Sequence, residues 1–127
     1  ARLLFKNMKP VLDKKTYVFC TNKSQLSEDL KPMLMYREKE GITYILEKRI
    51  ADQHRLKYSG IWKLITLSVY SDLQAVGFLA KITVALAKEG IAVNAVSAYH
   101  HDHLYIPVDN SKKALAVLTA LSQRHHV

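Results

Sequence analysis

The order and spacing of apolar residues predict an α+β chain built from two related halves, and three observations carry that prediction. Segments of period two alternate with segments of period 3.6, the pattern of mixed strands and helices. Residues 62–124 run strand, helix, strand, strand, helix. Residues 16–58 repeat the order with a stunted first helix, so the chain reads as a degenerate internal repeat of the split βαβ, ferredoxin-like (βαββαβ) unit. Antiparallel sheets with helices on one face are the expected architecture. The expected division is a degenerate first half over residues 1–60, led by a short helix, and a second half over residues 61–127.

In the first half, Leu3 to Met8 can form the leading helix, which Pro10 stops. Thr16 to Thr21 is β-branched and aromatic, hence a strand. Thr21 to Pro32 is polar and holds at most a turn or two of helix around Gln25 to Leu30. Met33 to Arg37 and Ile42 to Glu47 read as two strands joined by Glu38 to Gly41, where Gly41 is free to take positive φ. Met33 and Met35 share one face of their strand and are expected in the core. Lys48 to Arg55 reads as helix and Leu56 to Tyr58 as a brief strand.

The second half is more regular. Trp62 to Tyr70 alternates, with Ile65, Leu67 and Val69 on one face and Thr66, Ser68 and Tyr70 on the other. A helix follows from Phe78 to Glu89, its stripe formed by Phe78, Leu79, Ile82, Ala85 and Leu86, and Gly90 ends it. Ile91 to Tyr99 is a strand whose apolar parity switches near Asn94, which predicts a bulge or two buried faces. Tyr99 to His103 turns the chain and Leu104 to Val108 returns. Asp109, Asn110 and Ser111 offer N-caps for a last helix reaching Arg124, with Leu115, Leu118 and Leu121 inward. The second half lacks a fourth strand. Either a strand of the first half or a second subunit is expected to supply it, because an open sheet edge invites pairing.

Composition narrows the classes of function. With 127 residues, 49% of them hydrophobic and 24% charged, the chain is globular and large enough for an ordinary core. One cysteine excludes an internal disulfide and a cysteine-based zinc site. No apolar run approaches the length of a membrane span, and Arg2, Lys6, Lys9 and Asp13 interrupt any apolar signal core. A cytoplasmic location without membrane insertion is therefore expected. The net charge of +8 is concentrated in residues 1–63, which hold fourteen Lys/Arg against seven Asp/Glu. There the signs alternate, as in Arg37-Glu38-Lys39-Glu40, which describes a solvated surface rather than a phosphate-tracking stripe. The aromatic and glycine grammar of an RNA-binding sheet is also absent, so no specific nucleic-acid partner is expected.

The chemistry-bearing residues fall in two places. In the loop Ser71 to Phe78, Gly77 opens a helix, where free backbone N–H groups can receive a carboxylate at close range. Asp72 can receive an α-ammonium, and Asn94 on the next strand offers both a donor and an acceptor. The plainer alternative makes Gly77 a tight turn and Asp72 its cap. His100, His101 and His103 sit with Asp102 in one turn. Imidazoles suit transition metals, yet neighbouring turn residues rarely converge, and His54 or His125 would have to join them. Interface or ligand contact is the expected role of these histidines, with no metal. Cys20, inside a strand, reads as a buried inert thiol. Phosphate-loop, nucleophile-elbow and dinucleotide signatures are absent, so no catalytic residue and no cofactor is assigned, and the chain is expected not to be an enzyme.

Residues 66–96 resemble the ACT domain, a small ligand-sensing module found beside enzymes of amino-acid metabolism. The matching features are the strand Leu64 to Tyr70, the loop Leu73-Gln74-Ala75-Val76-Gly77-Phe78, the helix Leu79 to Lys88, then Gly90-Ile91 and Asn94. Residues 8–121 further resemble a family of small stand-alone bacterial proteins made of two ACT-type halves. That likeness rests on Met8-Lys9-Pro10, Tyr17-Val18-Phe19-Cys20-Thr21, Arg37-Glu38-Lys39-Glu40-Gly41-Ile42-Thr43, Trp62, Ile65-Thr66-Leu67 and Tyr99-His100-His101-Asp102-His103. The resemblance implies an amino acid or similar metabolite bound at an interface between modules. The site would be built from Ser71, Asp72, Ala75, Val76, Gly77, Phe78 and Asn94. It also implies a regulatory or transport-related role and a homodimer. The first half departs from the pattern, since Asn22-Lys23-Ser24 has no glycine; it is expected to offer an opposing wall instead, through Tyr36, Arg37 and Thr43.

Overall fold

Strand β1, Pro10–Asn22, is thirteen residues long and contributes to two units of the chain. One unit comprises Ala1–Lys14 with Lys63–Val127, and the other Lys15–Trp62. The computed structural model describes residues 5–69, 74 and 76–123.

In the unit Lys15–Trp62, the strand order is β2 (Leu34–Arg37), β3 (Ile42–Glu47), β1. Both pairings are antiparallel, with Tyr17 opposite Glu47 and Asn22 opposite Ile42 in one, and Leu34 opposite Ile45 in the other. The β-branched and aromatic residues of β1 and β3 put Val18, Cys20, Tyr44 and Leu46 into one core with Leu30 and Ala51. The polar stretch after β1 forms only a 3-10 turn, Glu28–Leu30, capped by the Ser27 hydroxyl, which accepts from the Asp29 N–H. The buried Tyr44 hydroxyl steadies this connection by accepting from the Leu26 N–H at 2.8 Å. Helix α1 (Lys48–Gln53) follows β3 directly.

Two expectations fail in this unit. Leu56 to Tyr58 is not a strand; it follows a helix-terminating turn, with Leu56 and Tyr58 packed against the core. Met33 and Met35 are 54% and 40% exposed rather than buried. Leu34, of opposite parity, is the half-buried residue, because an edge strand turns only one face inward.

The other unit contains β4 (Trp62–Leu67, of which Lys63 onward belongs here), α2 (Phe78–Lys88), β5 (Asn94–Ser97), β6 (Asp102–Pro107) and α3 (Ser111–Gln123). Its strand order is β1, β4, β6, β5, so Pro10–Lys14 of β1 provides the fourth strand that the second half appeared to lack. The N-terminal segment accordingly groups with Lys63–Val127, not with the residues that follow β1. Phe5 and Met8 lie fully buried in a core with Ile65, Leu67, Phe78 and Ile82. The Ser68 N–H donates to the Met8 carbonyl at 2.8 Å. Each such side chain taken from water contributes about 1.5–3 kcal/mol.

Helix α2 buries Phe78, Ile82 and Leu86, one per turn, and packs against α3. The buried seam of α3 runs through Ser111, Ala114, Leu118 and Ser122, so Leu115 and Leu121 flank it at partial burial. The parity switch near Asn94 is not a bulge. The strand begins at Asn94, and residues 91–93 are a connection in which Ile91 is buried.

The β2–β3 turn rests on Gly41, whose φ of +152° is a region closed to other residues. A Cβ there would stand 3.1 Å from the Asn22 carbonyl oxygen. Gly41→Ala is expected to lower stability by about 1–3 kcal/mol through strain and this contact, read as a reduced midpoint in urea unfolding.

Candidate functional site

The loop before α2 begins outside the described residues: Ser71, Asp72 and Ala75 lie there. Val76 is 90% exposed, and Gly77 is the N-cap of α2 with φ +85° and ψ −12°. This left-handed conformation is the reason for glycine at the position, and among the described residues a Cβ would meet nothing within 4 Å. The first helical bond runs from the Lys81 N–H to the Gly77 carbonyl. The N–H groups of Phe78, Leu79 and Ala80 therefore precede the intrahelical ladder and carry the positive end of the helix dipole.

Phe78 does not offer its side chain to this loop. It is 1% exposed and packs against Phe5 with ring centroids 5.1 Å apart, so only its backbone N–H is on offer. Asn94 is exposed at the start of β5, opposite Tyr105. Tyr36, Arg37 and Thr43 all belong to the unit Lys15–Trp62. Tyr36 and Thr43 are cross-strand partners, Arg37 is exposed, and the Thr43 hydroxyl donates to the Glu38 carboxylate.

The histidines occupy the β5–β6 turn and the start of β6. His100 stands edge-on to Tyr99, with centroids 5.0 Å apart. The rings of His101 and His103 have centroids 6.4 Å apart, with His101 in the turn just before the strand and His103 within it. His103 Nδ1 and Thr66 Oγ1 share a hydrogen bond of 2.9 Å between β6 and β4. Among the described residues no three His, Cys, Asp or Glu side chains are placed to hold a metal. Burial, helped by the neighbouring His101 and opposed by Asp102, holds His103 below the ordinary histidine value of 6.5.

A depression the sequence did not suggest lies along α2 and α3. It measures about 590 Å³ and is bordered by Ala80, Val84, Val117 and Leu121. The available signal was Val84, a half-exposed apolar residue off the helix stripe. Three cations of the first half are ion-paired among the described residues: Lys15 with Glu47 at 3.6 Å, Arg49 with Glu47 at 3.8 Å, and Lys48 with Asp52 at 2.8 Å.

Comparison with known proteins gives this arrangement a family. Two ACT-domain models match, one over residues 2–63 and the other over residues 62–120. The chain superimposes on a protein of unknown function from Vibrio cholerae, described as a possible transport protein, with a TM-score of 0.86 and 38% identity, covering 95% of this chain and 94% of that one. A protein from Agrobacterium tumefaciens shares the fold at TM-score 0.75 and 13% identity, covering 89% and 87% of the two chains. The regulatory subunit of aspartate kinase from Thermus thermophilus does so at TM-score 0.66 and 10% identity, covering 91% and 98%. None of the curated proteins compared matches the chain. The chain belongs to the ACT-domain family and carries two such domains, modules of the regulatory, amino-acid-binding type. Among the described residues no helix is long and apolar enough to cross a membrane.

The lowered His103 value fixes a pH dependence. Below about 6.5 the unfolded chain takes up a proton that the folded chain refuses. Stability is therefore expected to fall as pH drops from about 6.5 through the folded value, and His103→Gln should flatten that part of the profile in urea unfolding at stepped pH.

Proposed function

We propose that this protein is a non-catalytic regulatory or sensor protein that binds an amino acid at the loop Ser71 to Phe78. The observation carrying this reading is Gly77: a left-handed N-cap whose Cβ position meets none of the described residues within 4 Å, at the positive end of an eleven-residue helix, within an ACT domain. The N–H groups of Phe78 to Ala80 would receive the ligand's carboxylate, and Asp72 its ammonium, with Asn94 as a further polar contact. Tyr36, Arg37 and Thr43 are proposed as the opposing wall, and His100, His101 and His103 as interface residues.

A homodimer accompanies this reading. The edge strands β2 and β5 present exposed residues, and an uncovered strand edge favours pairing with a second chain. A transport-related or amino-acid-metabolic context and a cytoplasmic location are proposed with it. The Vibrio cholerae relative is described as a possible transport protein, and the Thermus thermophilus neighbour as a regulatory subunit of aspartate kinase.

Thermal unfolding of the protein with each of the twenty amino acids checks the assignment. A ligand at a hundred times its Kd should add about 2.7 kcal/mol, several degrees for a domain of this size. One amino acid is expected to raise Tm selectively, and Gly77→Asp to abolish that rise by putting a side chain and a negative charge where the carboxylate docks. A flat panel, or a rise that survives Gly77→Asp, would overturn the site and favour a module that binds a protein partner.

A further inference from the structure

The unit Lys15–Trp62 contains a cavity that none of the candidate residues lines. It measures about 230 Å³ and is formed where the end of β1, the connection after it and the segment following α1 meet. Cys20, Leu26 and Leu56 give it apolar lining; burial raises the Cys20 pKa, so the thiol stays neutral. Asn22, Arg55 and Lys57 supply the polar part. Among the described residues no acidic side chain lines it. The chain between β1 and β2 folds only three residues of 3-10 turn, against eleven residues of helix between β4 and β5, which leaves this ground uncovered.

Arg55 is held there at a conformational cost. It ends α1 in a Schellman arrangement: the Arg55 N–H donates to the Asp52 carbonyl at 3.2 Å and the Leu56 N–H to the Ala51 carbonyl at 2.9 Å. That motif needs a left-handed residue, and Arg55 takes it with φ +54°, where glycine would sit without strain. Among the described residues neither Arg55 nor Lys57 has a carboxylate partner, a lack they share with Lys23, Lys31, Arg37 and Lys39; what is particular to them is that both line this cavity. A strained arginine beside a second cation, lining a cavity of mixed polar and apolar walls, calls for an anionic guest.

We infer that this cavity binds a small organic acid lacking an amino group, with Arg55 and Lys57 receiving its carboxylates and Cys20, Leu26 and Leu56 its carbon skeleton. At about 30 Å³ per water the space equals roughly eight waters, the size of a short dicarboxylic or 2-oxo acid. An α-ammonium would meet two cations and no carboxylate, so amino acids are disfavoured here. The site is separate from the loop at Gly77 and does not depend on it.

The test is a titration of the full chain with succinate and 2-oxoglutarate, followed by amide resonances, with glutamate and inorganic phosphate alongside. Either acid should shift the amides of Cys20–Asn22 and Arg55–Lys57, with glutamate and phosphate binding at least tenfold more weakly. Arg55→Gly should abolish the shifts while raising the urea midpoint, because it relieves the left-handed strain. Gly77→Asp should leave them intact, which keeps this result distinct from the amino-acid assignment. Unmoved amides with both acids, equal binding of glutamate or phosphate, or an unchanged titration in Arg55→Gly would each overturn the inference.

Discussion

One strand serves two cores, and the arrangement of each unit follows from that. β1 gives its first five residues to the unit that holds α2 and α3, where Leu12 packs against the Phe78 and Ile82 core. Its later residues pair with β3 in the other unit and bury Val18 and Cys20. A thirteen-residue strand is long for a globular protein, where five or six residues is usual. Its length solves the problem of a βαββα unit with one strand too few without a second chain. It also explains why Phe5 and Met8, near the start of the sequence, are among the most buried residues of a core made chiefly from residues beyond 63.

Where the periodicity was clean, the sequence disclosed the fold. Trp62–Leu67, Phe78–Lys88 and the β5–β6 hairpin stand close to where alternation and the helical stripe put them. The first half of β1 was illegible because Asp13, Lys14 and Lys15 break its alternation, although its backbone still joins a ladder. Leu56 to Tyr58 misled for the opposite reason. Its apolar residues pack on a core, but Arg55 in the left-handed region has just reversed the chain, and among the described residues it joins no strand ladder. Local composition reports burial more faithfully than it reports hydrogen-bonding geometry.

The same distinction governs the candidate site. A glycine before an apolar helix start was correctly read as a helix N-cap, since only the backbone conformation was at issue. Phe78 beside it was placed both in the ligand loop and at the head of the apolar stripe, and the structure buries its side chain with Ile82 and Leu86. The cavity near Cys20 left no trace in the sequence, because its lining comes from three separated segments. Alternating charges in the first half were read as a solvated surface, and the exposed pairs that do form there contribute at most about 1 kcal/mol each. Lys23, Lys31, Arg37 and Lys39, like Arg55 and Lys57, are without a carboxylate partner among the described residues, so what distinguishes Arg55 and Lys57 is their place in the lining of the cavity.

The two units have kept the same order of elements and spent it differently. In one, an eleven-residue helix covers the core, and its glycine N-cap exposes backbone donors to the loop. In the other, the equivalent connection has shrunk to a 3-10 turn held by Ser27 and by the hydroxyl of Tyr44. Without a helix there, this unit lacks both the apolar cover and the N-terminal backbone donors on which the proposed amino-acid site of the other unit rests. What it has in their place are side-chain cations, one of them fixed by the helix-terminating turn of α1. Backbone donors suit a ligand that also offers an ammonium to a nearby carboxylate, whereas paired cations suit one that offers only negative charge. Divergence of a repeated domain thus changes the chemistry of what can be recognised, not only whether recognition survives.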